Sequence, residues 1–288
     1  MSSQIHQSGR SFVLREGRVL EQRLAATVFD GAPASGVVDA LRAYQNPDGG
    51  FGHGLEPDKR CPASLAIDVE IALQTLVAAG AVDHHMVGRA CDFLATIATP
   101  DGAVPLSSPA MEAYPRAEHW GEWTYIPGFN PTAGLVGLLH RMGIEHPWVE
   151  RATTWCWSAL DGGDGLPGDA HAVAEILVFL AHVPDRDRAD ALAPAVVKHL
   201  GSASHYRGDP LDPAYGVTPL HIVPTPTSRW RSLFADDLIE GHLDRVERDQ
   251  QPDGGWSITW EPPSAASTLD YRGMETVRNL RVLTAYGR

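Results

Sequence analysis

From Phe12 to Val28 the apolar residues Val13, Leu14, Leu20, Leu24 and Val28 gather on one side of a 3.6-residue period, with arginines and glutamates opposite. That is the pattern of a helix with one buried stripe. Amphipathic stretches of the same kind recur at 34–45, 64–80, 84–98, 131–143, 147–160, 170–182, 187–201, 232–249 and 267–285. The spacing predicts about ten main helices. Alternating β-branched runs flanking a tight hairpin turn are absent, so the chain reads as all-α.

The connections carry more information than the helices. Gln45-Asn46-Pro47-Asp48-Gly49-Gly50-Phe51 follows the second amphipathic stretch and Gln250-Gln251-Pro252-Asp253-Gly254-Gly255-Trp256 follows the ninth. Weaker relatives are Pro100-Asp101-Gly102, Gly163-Asp164-Gly165 and Arg207-Gly208-Asp209-Pro210. Their aspartates recur at intervals of about 45–63 residues, a repeat length that holds one helical hairpin and its loops. In each turn glycine supplies a left-handed helix end, proline stops the preceding helix and aspartate accepts free backbone N–H groups. The two strongest copies are the first and the last, and long insertions interrupt the series near 102–130 and 208–231. Both features favour a closed ring over an open solenoid: a single α/α toroid spanning 1–288.

The two Gln-x-x-x-Gly-x-aromatic loops resemble the QW repeats of squalene–hopene cyclases, and related turns occur in the β subunits of protein prenyltransferases. The blocks Asn46 to Arg60 and Pro252 to Gly273 resemble still more closely a group of uncharacterised bacterial prenyltransferase-like proteins. The resemblance implies concentric inner and outer helices around a cavity open at one end. It carries no reaction with it, because the Asp-x-Asp-Asp acid motif of the cyclases is absent: Asp185-Arg186-Asp187-Arg188 and Phe234-Ala235-Asp236-Asp237 do not match it. Nor do Asp, Cys and His fall in the pattern of the prenyltransferase zinc site.

Net charge of -13 excludes non-specific nucleic-acid binding, which needs a basic surface. Apolar runs such as Ile176 to Ala181 are too short to span a bilayer, and Met1 to Gly17 lacks the apolar stretch of a secretory signal. Three scattered cysteines, Cys61, Cys91 and Cys156, fit reduced thiols better than a disulfide framework. The expectation is a cytoplasmic protein without stable membrane insertion; its oligomeric state is not legible.

Ionisable residues crowd the stretches just beyond the two motif loops. After the first come His53, Glu56, Asp58, Lys59 and Arg60; a turn needs its glycines but not this set. Asp68 and Glu70 follow within an otherwise apolar helix, where one carboxyl facing the cavity would have a raised pKa and serve as proton donor. After the second loop come Trp260, Glu261, Asp270, Tyr271 and Arg272, and Arg272 near a helix start calls for an anionic partner such as Glu56, Asp58 or a bound anion. The insertion 103–130 adds His119, Trp120 and Trp123 as the wall or lid of a pocket. His171 is a candidate for the same end, with a structural role as the plainer reading. His53, Glu56 and Asp58 lack a second histidine or carboxylate in register, so neither a metal nor another cofactor is expected.

These residues support one leading expectation. Glu56, Asp58 and Asp270 are the candidate acids; His53, Arg60, His119, Trp120, Trp123, Trp260, Tyr271 and Arg272 are the candidate substrate contacts. Together they suit a terpenoid-cyclase-like enzyme that cyclises or isomerises an isoprenoid, or another hydrophobic or anionic small molecule, by protonation. Alternatives are a carbohydrate-active toroid (glycosidase or lyase) and a non-catalytic binding protein on the same fold. If the ring closes, the two ionisable blocks meet, and structure tests that directly.

Overall fold

The computed structural model describes residues 2–121, 124–162 and 165–288. Among them are twelve α-helices: α1 (Ser2–Glu16), α2 (Val19–Asp30), α3 (Ser35–Arg42), α4 (Ala66–Ala79), α5 (His84–Ile97), α6 (Phe129–Arg141), α7 (Pro147–Asp161), α8 (Ala170–His182), α9 (Arg186–Leu200), α10 (Pro219–Ile222), α11 (Asp236–Arg248) and α12 (Ala265–Ala285). The even-numbered helices form an inner ring, α2–α4–α6–α8–α10–α12, in which α12 returns to α2, and odd-numbered helices pack outside them. The all-α toroid expected from the sequence is the architecture observed.

Two features raise the helix number above ten. The stretch read as one helix over 12–28 is two, because the chain turns at Gly17, where Arg18 is extended (φ -61°, ψ 161°). There α12 crosses closely: a Cβ on Gly273 would lie 3.2 Å from the Gly17 Cα. The insertion 208–231 holds the four-residue α10, begun by Thr218 and Pro219; its prolines hide it from a periodicity reading. Five other helices start with a side-chain cap, at Asp83, His146, Asp169, Asp185 and Ser264, which satisfies otherwise free N–H groups of the first turn.

Ring closure is written in the loops. In the first motif loop Gln45 Nε2 donates to Gly49 O and to Met86 O of α5, both at 2.9 Å. In the last loop Gln250 Nε2 donates to Gly254 O and to Ile5 O of α1, again at 2.9 Å. Asp48 accepts from Gly50 N and Asp253 from Gly255 N. Gly49 (φ +93°) and Gly254 (φ +96°) press their Cα atoms so close to Arg89 O and Ser8 O that a Cβ would lie 2.3 and 2.2 Å from them. Gly102 (φ +110°) repeats the device against Ala152 of α7, with the Trp148 indole N–H on Gly102 O in place of the glutamine amide. Each loop leaves one outer helix and clamps the next outer helix in the ring. By that rule α1 follows α11, and the last repeat docks on the first.

The apolar stripes meet between the two helix layers in one continuous core that includes Leu20, Leu41, Leu73, Leu94, Leu135, Trp148, Phe179, Leu243 and Leu280. Cys61, Cys91 and Cys156 are buried free thiols. No helix among the described residues is long and apolar enough to cross a membrane.

Candidate functional site

The ionisable blocks sit where α2, α4 and α12 begin. The residues of block 53–60 are held between the starts of α2, α4 and α12. Arg18, just before α2, donates to Gly54 O and Leu55 O at 3.2 and 2.9 Å, while its other N–H groups grip buried Glu21. Asp68 in the first turn of α4 accepts Glu56 N at 2.8 Å. On the far side, Arg60 N and Ala117 N pair this segment with the 103–121 insertion. The positive ends of α2, α4 and α12 lie at this mouth, which favours negative charge there.

The two blocks do meet. Glu56 and Lys59, both almost fully buried, form an ion pair, and Glu56 Oε1 also accepts the Tyr271 hydroxyl at 2.9 Å. Asp58, 3% exposed, accepts the Trp260 indole N–H at 2.8 Å and touches His119 Nε2 at 3.3 Å. Arg60 donates to Asp270 Oδ2 and to Ser267 Oγ, both at 2.8 Å. Buried Trp120 covers Lys59, its ring 4.6 Å from Nζ. Tyr215, Trp260 and Tyr271 form a run of edge-to-face rings, with centroids 5.1 and 4.8 Å apart.

Two sequence candidates lie elsewhere. His53 turns back into its own loop, with Nε2 2.9 Å from Asn46 Oδ1. Arg272 stacks on Phe12 and donates to Asp253 Oδ1 at 2.8 Å and Trp256 O at 3.1 Å. Its anionic partner is therefore Asp253 of the motif loop, not Glu56 or Asp58, and the hydrogen bond from Arg272 holds the Asp253 carboxyl below its usual range. Arg272 also lines a surface concavity of about 600 Å³ shared with Trp260, Glu261 and Thr268. Trp123 lies outside the described residues.

Deeper along the axis stands a feature that the sequence showed only by half. Glu70, the fifth residue of α4, and Glu175, the sixth of α8, converge over Gly134 of α6. A Cβ on Gly134 would fall 1.6 Å from Glu175 Oε2 and 3.0 Å from Glu70 Oε1, so glycine there makes the room for both carboxyls. At 1.5 Å per residue, they sit roughly 6–8 Å below the helix starts. The two carboxyls hydrogen-bond to each other, and Gln74 Nε2 donates to Glu70 Oε1 at 3.0 Å. Burial pushes Glu70 up to about 7 even against those bonds. Burial and the neighbouring charge of Glu70 push Glu175 well above the carboxylate range. Two carboxyls brought together in a buried site resist ionising together, which raises both.

Toward the same side lie His221 and Arg278, whose Nη1 is 2.6 Å from His221 Nε2 and which pairs with Glu275. Burial, reinforced by Arg278, drives the His221 imidazole well below its ordinary pKa. Asp68, fully buried, is likewise raised to about 7 by burial.

No family model matches the chain, and no curated protein matches it. Solved structures do match, two of them over nearly their whole lengths. One is a protein from Actinoplanes, at 18% identity and TM-score 0.60, with all of both chains covered. The other is a variant of the type II terpene cyclase MstE from Scytonema in complex with its substrate geranylgeranyl dihydroxybenzoate, at 13% identity and TM-score 0.52, covering 99% of this chain and 98% of that one. What the likeness shows is the fold, an α/α toroid shared with these two structures.

Proposed function

We propose that the protein is a terpenoid-cyclase-like enzyme in which the Glu70–Glu175 pair supplies the proton that starts cyclisation or isomerisation of an isoprenoid chain. The carrying observation is the contact of these two carboxyls over Gly134. A buried carboxylic acid kept neutral at physiological pH is a proton donor held at the point of use. Glu175 is the donor and Glu70, steadied by Gln74, is the partner that polarises it. Protonation of a double bond leaves a carbocation, which the faces of Tyr215, Trp260 and Tyr271 suit. The likeness to a cyclase that holds a geranylgeranyl substrate supports the fold side of this reading.

Glu56, Asp58 and Asp270, the acids first expected, are assigned to the mouth instead. Each is already engaged with a cation or an N–H donor, namely Lys59, Trp260 and Arg60. In this reading they position the walls of the mouth, with Arg60 and His119 nearest an anionic substrate group. Cytoplasmic location follows from the same reading and from the reduced cysteines.

A polar ligand such as a sugar is the second reading, favoured by the His221–Arg278–Glu275 cluster. Touching carboxyls speak against glycosidase chemistry at the pair, since those enzymes hold their two carboxyls about 5–9.5 Å apart.

The test is incubation of the chain with linear prenyl diphosphates and geranylgeranyl-substituted phenols, with products read by mass spectrometry. Isomeric cyclised product from the native chain, lost by about 100-fold or more in Glu175→Gln, supports the proposal. Equal turnover in Glu175→Gln and the native chain would remove the pair from the chemistry.

A further inference from the structure

Beside the mouth, the N-terminus of α8 carries a second constellation that the proposed acid chemistry does not use. Asp169 caps this helix, its Oδ1 accepting His171 N at 3.0 Å. The same oxygen lies 3.0 Å from His171 Nδ1, and Oδ2 lies 2.7 Å from His205 Nδ1. One ligand atom from each of the three residues falls within 4.8 Å of the others. We propose that Asp169, His171 and His205 form a site for a divalent transition-metal ion of the zinc class.

Residue chemistry and framework both favour this. Two imidazoles and one carboxylate are a donor set for zinc and its first-row neighbours rather than for calcium or magnesium. Small rotations of these part-exposed side chains bring three donors to the roughly 2.0–2.2 Å that such ions require. Their backbones are fixed. Ala170 N donates to Ser204 O at 2.9 Å and Ser204 N to Gly168 O at 2.8 Å, locking the two ligand-bearing segments side by side. His205 is held in the left-handed region (φ 60°), with its carbonyl bound by Val217 N. The far nitrogen of His171 meets the Tyr215 hydroxyl at 2.9 Å, an outer contact that orients the ring with Nδ1 toward the carboxylate, as metal-binding histidines commonly require.

Binding exchanges the two carboxylate–imidazole hydrogen bonds for coordination, and each neutral imidazole then carries its one proton on Nε2. Three protein ligands leave at least one coordination position for water or an anionic oxygen. Through Tyr215, packed on Trp260, that position borders the mouth. His171 and His205 are separated by all of α9, and the 168–170/204 pairing brings them together. Metal binding is independent of the acid pair, and either can fail alone.

The experiment is titration of the chelator-treated full chain with Co²⁺, followed by visible absorbance, and with Zn²⁺ in competition. One equivalent is expected to bind, with d–d bands of a low-coordinate site and a rise in Tm. Asp169→Asn retains the helix cap, and His205→Asn tolerates the left-handed backbone, so both are expected to fold with unchanged far-UV circular dichroism. Each is expected to weaken binding at least about 100-fold, and Tyr215→Phe by about 10-fold. Absence of saturable binding, or one-equivalent binding that survives both ligand substitutions, overturns the proposal.

Discussion

Trp260 donates its indole N–H to Asp58 at 2.8 Å across 202 residues of sequence. The bond is possible only because α12 returns beside the stretch between α3 and α4. It leaves Asp58, almost wholly buried, with one strong donor and one glancing contact to His119. Trp260→Phe keeps the ring and removes the donor. A buried acceptor without its partner costs about 1–3 kcal/mol, and urea unfolding is expected to show a loss of that size.

Closure of the ring on α1 rests on Gly254. Its φ of +96° disfavours any side chain, and a Cβ would lie 2.2 Å from Ser8 O. Gly31 has a similar φ of +70° with nothing within 4 Å. Gly31→Ala is expected to cost about 1–2 kcal/mol from the backbone alone. Gly254→Ala adds the overlap, for a total of roughly 2–5 kcal/mol. Thermal unfolding of the two variants separates the terms.

Lys59 and Glu56 are an ion pair with almost no solvent contact. Removing one partner strands a buried charge, at a cost of about 3–5 kcal/mol. Lys59→Met alone is therefore expected to destabilise more than Lys59→Met with Glu56→Gln, where the amide still accepts from Tyr271. Chemical denaturation of both variants at one pH checks the order.

Glu70 and Asp68 give the protein a pH dependence of defined sign. Both are raised from the carboxylate range to about 7, so between about pH 4 and 7 the native state holds protons that the unfolded chain has released. Stability from these groups is present at low pH and lost as pH rises through 7. His182, lowered to about 4, and His221 work oppositely at the acid end, where the unfolded chain takes up more protons. The informative quantity is the difference between native chain and Glu70→Gln, measured from pH 5 to 8. That difference is expected to shift by roughly 2–3 kcal/mol against the native chain as pH rises.

Local rules made much of this legible. The motif loops fixed the helix-pair repeat because Gly49, Asp48 and Gln45 act within one turn, and the same signals at Gly254, Asp253 and Gln250 identified where the ring closes. From closure followed the meeting of block 53–60 with Trp260, Asp270 and Tyr271. Arg272 was misplaced because sequence shows the helix end it approaches but not the loop carboxylate of Asp253 beside it. Glu70 was visible as a carboxyl in an apolar helix, whereas Glu175 was not: its significance depends on the missing side chain of Gly134 on a third helix. His205 was hidden for the same reason, since its partners come from a different hairpin.

The account turns on one proton shared between Glu70 and Glu175, and infrared spectroscopy reads it without any substrate. At pH 7 the difference spectrum of native chain minus Glu175→Gln is expected to contain the C=O stretch of a protonated carboxylic acid, shifting on exchange into deuterium oxide. A difference spectrum with carboxylate bands only, showing both groups ionised at neutral pH, would contradict it.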